Sequence, residues 1–191
     1  MKKKKPFIII ISGPSGVGKG SIIKGLIKRN PKLKIAISAT TRLPRPQEKN
    51  KNDYYFIEEK LFIEKIKRNE FVEWAEVHKK KYGTLKSEVD YYLNAGYDVI
   101  LEIDIQGALQ VKKHGGNIIS IFITPPSFQD LIDRLHTRNT EAQKDIDYRL
   151  KAAGKELNAI GEYDYIVVNN DIETAINDIL EIVEKTKIET I

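Results

Sequence analysis

Residues 13–19 read Gly-Pro-Ser-Gly-Val-Gly-Lys, with the apolar run 7–12 immediately before them and a helical pattern immediately after. No other stretch of the chain constrains its fold as strongly. The G-x-x-x-x-G-K spacing has chemical meaning only between a buried strand and a helix, and that is the context here. Its glycines permit unusual dihedrals and turn backbone N–H groups inward, towards phosphate oxygens. The following helix adds its positive N-terminal end, and Lys19 can reach the outer phosphates of a nucleoside triphosphate. A glycine-rich turn with a surface lysine is the bland alternative, and it leaves the strand–loop–helix context unexplained. Gly13, Pro14, Ser15, Gly16, Val17, Gly18, Lys19, Gly20 and Ser21 are therefore candidate phosphate-binding residues. One position departs from the usual loop. Gly20 stands where a Ser or Thr normally contacts Mg2+, and Ser21 follows one residue late. This leaves no firm direct protein ligand for the metal in the loop.

Apolar strand-like runs alternate with helical patterns along the rest of the chain, the signature of an α/β fold with a parallel sheet. Residues 7–12, 99–103, 118–123 and 165–168 are predicted as buried strands of one central sheet. A helix is predicted over 18–28, with Ile22, Ile23, Leu26 and Ile27 inward and Pro31 stopping it; a closing helix is predicted over 172–185. Two excursions interrupt this core. The first, 35–96, is polar, with strands predicted at 54–57 and 71–77 and helices at 59–68 and 85–95. Gly96 ends the last of these. The second, 127–160, is helical and charged. The 191 residues fit one domain: a core of 1–34, 97–126 and 161–191 with two inserted segments.

Composition removes several chemistries. The absence of cysteine excludes disulfides, thiolate nucleophiles and cysteine-ligated zinc. The three histidines, His78, His114 and His136, lie far apart in sequence and make no metal-ligand spacing. The net charge of +5 suits an anionic ligand, whether nucleotide or nucleic acid. The lysines at 2–5 read as a solvated tail. The apolar runs are too short to span a bilayer, and no cleavage site follows 7–11, so a cytoplasmic protein without a membrane partner is expected.

Residues 38–46, Ser-Ala-Thr-Thr-Arg-Leu-Pro-Arg-Pro, place Arg42 and Arg45 three apart in a proline-stiffened segment. This suits an anion clamp, because the planar guanidinium grips phosphate oxygens in pairs. On its own it reads equally well as an exposed loop. Further along stand Glu-Phe-Val-Glu-Trp-Ala at 70–75, Tyr-Gly-Thr at 82–84, Glu-Ile-Asp-Ile-Gln-Gly at 102–107 and Pro-Pro-Ser at 125–127. In that order and spacing, and together with the phosphate loop, these motifs closely resemble the guanylate kinase family over nearly the whole chain.

The resemblance implies a P-loop three-layer α/β fold with a central parallel sheet, a GMP-binding segment at 35–96 and a helical lid at 127–160. It implies ATP-dependent phosphorylation of GMP, and of dGMP, with Mg2+ accompanying ATP and with no nucleic-acid partner. By similarity Glu73 takes the two donors on the guanine edge, while Ser38 and Thr84 contact the base. Arg42, Arg45, Tyr54 and Tyr82 match positions that hold the GMP phosphate. Asp104 follows a strand at its carboxyl end, where ligand crevices open in parallel sheets. It is placed to orient Mg2+ through water or to organise the acceptor, with Glu102 on the same face; capping the helix that starts near residue 106 fits it equally. In the lid, Arg134 and Arg138 share a helix face, and the resemblance makes them, with Arg149, catalytic arginines alongside Lys19 and Arg45. Asn169 resembles a position near the adenine of ATP. Gln47, Asn52 and the lysines at 79–81 depart from the family's turns. A catalytically inactive binding module and a P-loop kinase for another monophosphate are the competing readings. Monomer and homodimer remain equally open.

Overall fold

A computed structural model describes residues 5–77, 79–137 and 143–189, and at 137 and 143–149 the backbone alone. The elements run β1 (Ile8–Ser12), α1 (Lys19–Arg29), β2 (Leu33–Ile35), β3 (Ala39–Thr40), β4 (Tyr55–Phe56), α2 (Glu59–Lys67), β5 (Phe71–Val77), β6 (Lys80–Leu85), α3 (Lys86–Asn94), β7 (Asp98–Glu102), α4 (Ile105–His114), β8 (Ile118–Thr124), α5 (Phe128–Thr137), α6 (Gln143–Leu157), β9 (Tyr165–Val168) and α7 (Ile172–Glu189). The fold is α/β with a central parallel sheet, as the sequence predicts. The described residues divide into two compact units, 9–31 with 119–189 and 5–8 with 32–118.

In the first unit β1, β8 and β9 follow one another in the sheet. β8 and β9 pair in parallel from Ile121↔Tyr165 to Thr124↔Val168. β8 is buried without a break from Ile119 to Ile123, the continuous apolar run that a strand covered on both faces requires. α1 buries Ile22, Ile23 and Leu26 and packs on α7. α7 in turn buries Ala175, Ile176, Ile179 and Val183 along one stripe. Leu131 and Leu135 of α5 close on Ala153 of α6. β9 corrects the expectation of a buried strand. Val167 is buried, but Ile166 is 52% and Val168 48% exposed, because β9 is the last strand of its sheet and α7 packs on it along its inward-facing residues.

In the second unit β2 pairs in parallel with β7, Leu33↔Asp98 to Ile35↔Ile100. A separate four-stranded sheet has the order β4-β3-β6-β5. Its β5 and β6 form an antiparallel hairpin from Glu73↔Thr84 to Val77↔Lys80, and Lys79 turns with a left-handed φ of 60°. β2, β3 and β6 went unmarked in the sequence reading: the first two are two or three residues long, and β6 opens on charged residues that read as a turn. Behind this sheet Phe62 stacks on Phe71 at 4.5 Å, with Ala39, Tyr55, Ile57, Ile66 and Leu85 around them. Each buried phenylalanine contributes roughly 1.5–3 kcal/mol. That core fixes the strands from which the polar residues of the next section project.

Candidate nucleotide-binding sites

The loop from Gly13 to Lys19 links β1 to α1, as its motif requires. Gly13 and Gly18 hold φ of 148° and 102°, values that side-chain-bearing residues rarely adopt. Neither position has room for a side chain. A Cβ on Gly13 would overlap the Ile123 carbonyl, and one on Gly18 would come within 2.6 Å of Asn169 Nδ2. α1 begins with no side-chain cap and no acidic residue in its first turn. Its positive end is thus left for an external anion. Lys19 Nζ donates to the Gly13 carbonyl at 2.6 Å and to the Pro14 carbonyl at 3.3 Å. Ser21 is exposed on the first turn of the helix, and Gly20 has open space around it.

Beside the loop lies a cleft of about 660 Å3 lined by Gly16, Val17, Gly18, Arg134, Asn169 and neighbours. Asn169 is 3% exposed. Its Nδ2 donates to the Val17 carbonyl at 2.6 Å, and its Oδ1 is buried with no partner among the described residues. Arg134 donates through Nη2 to the Asn169 carbonyl at 2.9 Å. The structure thus gathers Arg134, Asn169 and the loop around one cleft. Arg138 lies outside the described residues. Arg149 falls within α6, where only the backbone is described.

The second unit carries the other predicted residues. β5 alternates Phe71, Glu73 and Ala75 inward against Val72, Trp74 and Glu76. A strand with Glu73 facing solvent and Val72 and Trp74 in the core is thereby excluded. A bulge between Phe71 and Glu73 lets both stay inward while their partners Leu85 and Thr84 are consecutive. Bulges commonly re-aim side chains in this way. Glu73 is 4% exposed. Its Oε1 accepts from Thr84 Oγ1 at 2.7 Å, and Thr84 Oγ1 lies 3.0 Å from Ser38 Oγ. Burial pushes the Glu73 carboxyl up to about 7, with the Asp104 charge adding to the rise and the Thr84 hydroxyl opposing it.

Asp104 caps α4, Oδ1 accepting from the Gly107 N–H at 2.9 Å, while Oδ2 accepts from Gln106 Nε2 at 3.1 Å. The capping role and proximity to Glu73 therefore coexist. Gly107, which closes the 102–107 motif, has a steric role that the motif alone does not reveal. A Cβ there would stand 2.5 Å from Glu73 Oε2, so the carboxylate sits against bare backbone.

Arg42 packs against a pair of aromatic rings on one side, its Cζ 5.0 Å from the centre of Tyr54 and 5.5 Å from that of Phe56. Tyr82 meets Tyr54 edge-on at 5.9 Å. Desolvation, then the Glu102 charge, raise the Tyr54 phenol, which keeps it a hydrogen-bond donor. The Arg45 side chain is exposed. The sequence reading also missed Glu48, which accepts from both Nη atoms of Arg42 at 2.6 Å. The only signal for it was an acidic residue closing a turn otherwise rich in Lys and Arg.

Among the described residues no group of three or more His, Cys, Asp or Glu could hold a metal ion alone.

The family model for guanylate kinase matches residues 4–186. The chain is 46% identical to the guanylate kinase of Thermotoga maritima over 94% of its own length and 87% of that protein's. To the guanylate kinase of Caldanaerobacter subterraneus it is 45% identical over 98% of its length and 92% of that protein's. The crystal structure of guanylate kinase from Anaplasma phagocytophilum superposes with a TM-score of 0.81 at 30% identity, covering 98% of this chain and 89% of that one. A phosphate-loop motif in one unit, a buried carboxylate in the other, and these matches along nearly the whole length make the chain an enzyme of the guanylate kinase family.

Proposed function

We propose that the chain transfers the γ-phosphoryl group of ATP to GMP, and to dGMP, through the residues described above. Glu73 carries the reading. It is a carboxylate 4% exposed whose hydrogen-bond partner is a hydroxyl rather than a cation. Guanine offers N1–H and N2–H2 as adjacent donors on one edge, and a carboxylate accepts both. Adenine lacks that pair and would leave the buried group unpaired, a difference of a few kcal/mol. Ser38 and Thr84 complete the base contacts, and Arg42, Arg45, Tyr54 and Tyr82 take the acceptor phosphate.

On the donor side the loop N–H groups and the α1 N-terminus cradle the phosphates. Lys19 leaves the Gly13 carbonyl for the outer phosphate oxygens. The Asn169 Oδ1 is an acceptor for the 6-amino group of adenine. Transfer requires no protein nucleophile. The acceptor phosphate oxygen attacks the γ-phosphorus in line, and Lys19 with Arg45, Arg134, Arg138 and Arg149 stabilises the charge spread over the equatorial oxygens.

The residues fit a Mg2+ ion that arrives on ATP. Such ions keep several waters and take one or two carboxylates alongside the phosphates, and Asp104, with both oxygens fixed by α4, can orient one of those waters. An ion held there would supply charge neutralisation at the phosphates, with Asp104 orienting its water.

We read the enzyme as cytoplasmic, acting as a monomer or homodimer on free nucleotides, with 35–96 as the acceptor segment and 127–160 as a lid. No helix among the described residues is long and apolar enough to cross a membrane. A coupled assay of ADP formation with ATP, Mg2+ and a panel of GMP, dGMP, AMP, CMP and UMP tests the substrate. Turnover should be at least a hundredfold greater with GMP than with AMP, consistent with the cost of an unpaired buried polar group. A preference for AMP would remove the guanine assignment.

A further inference from the structure

We propose that Glu48 is a positioning residue of the acceptor site, holding one edge of the Arg42 guanidinium so that its other edge is presented to the acceptor phosphate. The inference rests on the reading that Arg42 binds that phosphate.

Arginine has five N–H donors in a rigid plane. Arg42 Nη1 donates to Glu48 Oε2 at 2.6 Å and Nη2 to Glu48 Oε1 at 2.6 Å. This is the end-on, two-pronged pairing that fits a carboxylate. The second Nη1 hydrogen goes to the Leu43 carbonyl at 3.0 Å. Three donors are thereby used. The two that remain, on Nε and Nη2, lie along the side edge of the guanidinium; by elimination this is the edge that meets the Tyr82 hydroxyl, and an incoming phosphate shares it with that hydroxyl.

The plane itself is held. The rings of Tyr54 and Phe56, 5.8 Å apart, both lie to one side of Arg42, and the Tyr82 hydroxyl accepts from the same guanidinium. Glu48 is tied in turn. Its Oε2 also accepts from the Arg45 N–H at 2.8 Å, so one carboxylate fixes the Arg42 side chain and the backbone of the second clamp residue. The Arg42 hydrogen bonds hold the Glu48 carboxyl down to about 2, with the Arg45 N–H assisting. It is therefore charged at any working pH. A flexible arginine on an exposed turn would lose rotamer entropy when phosphate binds. Glu48 removes much of that cost beforehand. It also sets a geometric filter, because an anion must approach along the side edge.

The opposite role would be a surrogate anion that GMP must evict, and the two roles predict opposite signs. The test measures KM for GMP, KM for ATP, kcat, and the inhibition constant of guanosine, which has the base but no phosphate. In Glu48→Gln the KM for GMP should rise on the order of 10- to 100-fold, the loss of charge-assisted bonds to one arginine. KM for ATP and guanosine inhibition should stay within about twofold. A KM for GMP that is unchanged or lowered overturns the proposal. Equal weakening of GMP and guanosine also overturns it, since that marks a general collapse of the turn. Glu48→Asp, which keeps the charge, should recover part of the loss; failure to do better than Glu48→Gln counts against positioning. Arg42→Gln separates the two layers. If it fails to weaken GMP relative to guanosine, the phosphate reading of Arg42 is wrong. If it does so while Glu48→Gln does not, only the positioning role of Glu48 falls.

Discussion

In the proposed acceptor site, Glu73 carries one ionisation that links folding to base binding. Burial raises its folded pKa to about 7, against 4.5 for an ordinary glutamate. Between those values the folded chain keeps a proton that the unfolded chain has released. Its contribution to stability is therefore full below about pH 4.5 and declines as pH rises through 7, by about 3 kcal/mol in all. Glu73→Gln should abolish that slope in unfolding experiments on the ligand-free protein. GMP works the other way: guanine donors favour the carboxylate, so binding expels the proton below pH 7. Affinity should climb as pH rises towards 7 and level off above, and calorimetry in buffers of different ionisation enthalpy should show proton release on the acid side. An affinity flat from about pH 5.5 to 8 would remove Glu73 from base recognition. The sequence made Glu73 legible only through its motif. Hydrophobic alternation alone does not choose between Val72 with Trp74 and Phe71 with Ala75 as the inward set, and β5 takes the second. Glu48 was illegible because its partner lies six residues away across an irregular turn, where no periodicity operates.

At the scale of elements, legibility followed length and apolarity. β1, β8, α1 and α7 each carry enough apolar residues at one period to declare themselves, and the structure keeps them within a few residues of expectation. β2, β3 and β6 owe their strand form to partners distant in sequence, such as Leu33↔Asp98 and Thr40↔Tyr82, and a local pattern cannot report that. The α1–α7 contact yields a sharper test. Gly25 lies mid-helix, where glycine costs about 1 kcal/mol relative to alanine. An added Cβ would overlap Ile176 Cδ1. Overpacking of this kind costs about 1–3 kcal/mol, so Gly25→Ala should destabilise despite its helix propensity. Ile176→Val alone should cost about 1 kcal/mol as a lost methyl. The double variant should be at least as stable as Gly25→Ala alone, giving a favourable coupling of about 1 kcal/mol or more in urea unfolding. Strict additivity would show that Ile176 swings aside freely and that α1 does not need its glycine.

For the molecule as a whole, the proposed function assigns the two substrates to different units. The loop and Asn169 proposed for the donor lie within 9–31 and 119–189, and Ser38, Arg42, Glu73 and Thr84, proposed for the acceptor, within 32–118. Amide hydrogen exchange can read that division directly. A ligand at about a hundred times its Kd stabilises the state it binds by about 2.7 kcal/mol, or roughly a hundredfold in exchange rate for amides freed by the opening it suppresses. GMP alone should slow amides that open locally in 38–42 and 71–85, leaving 13–21 close to its ligand-free rate. A non-hydrolysable ATP analogue with Mg2+ should slow 13–21 and 169–172 and spare the acceptor strands. Amides in the middle of β8, buried from Ile119 to Ile123, open only with the whole fold and should slow with either ligand. They supply the internal reference against which local protection is judged. GMP protecting 13–21 first would mean that the acceptor occupies the donor loop, and the assignment of substrates to units would have to be reversed.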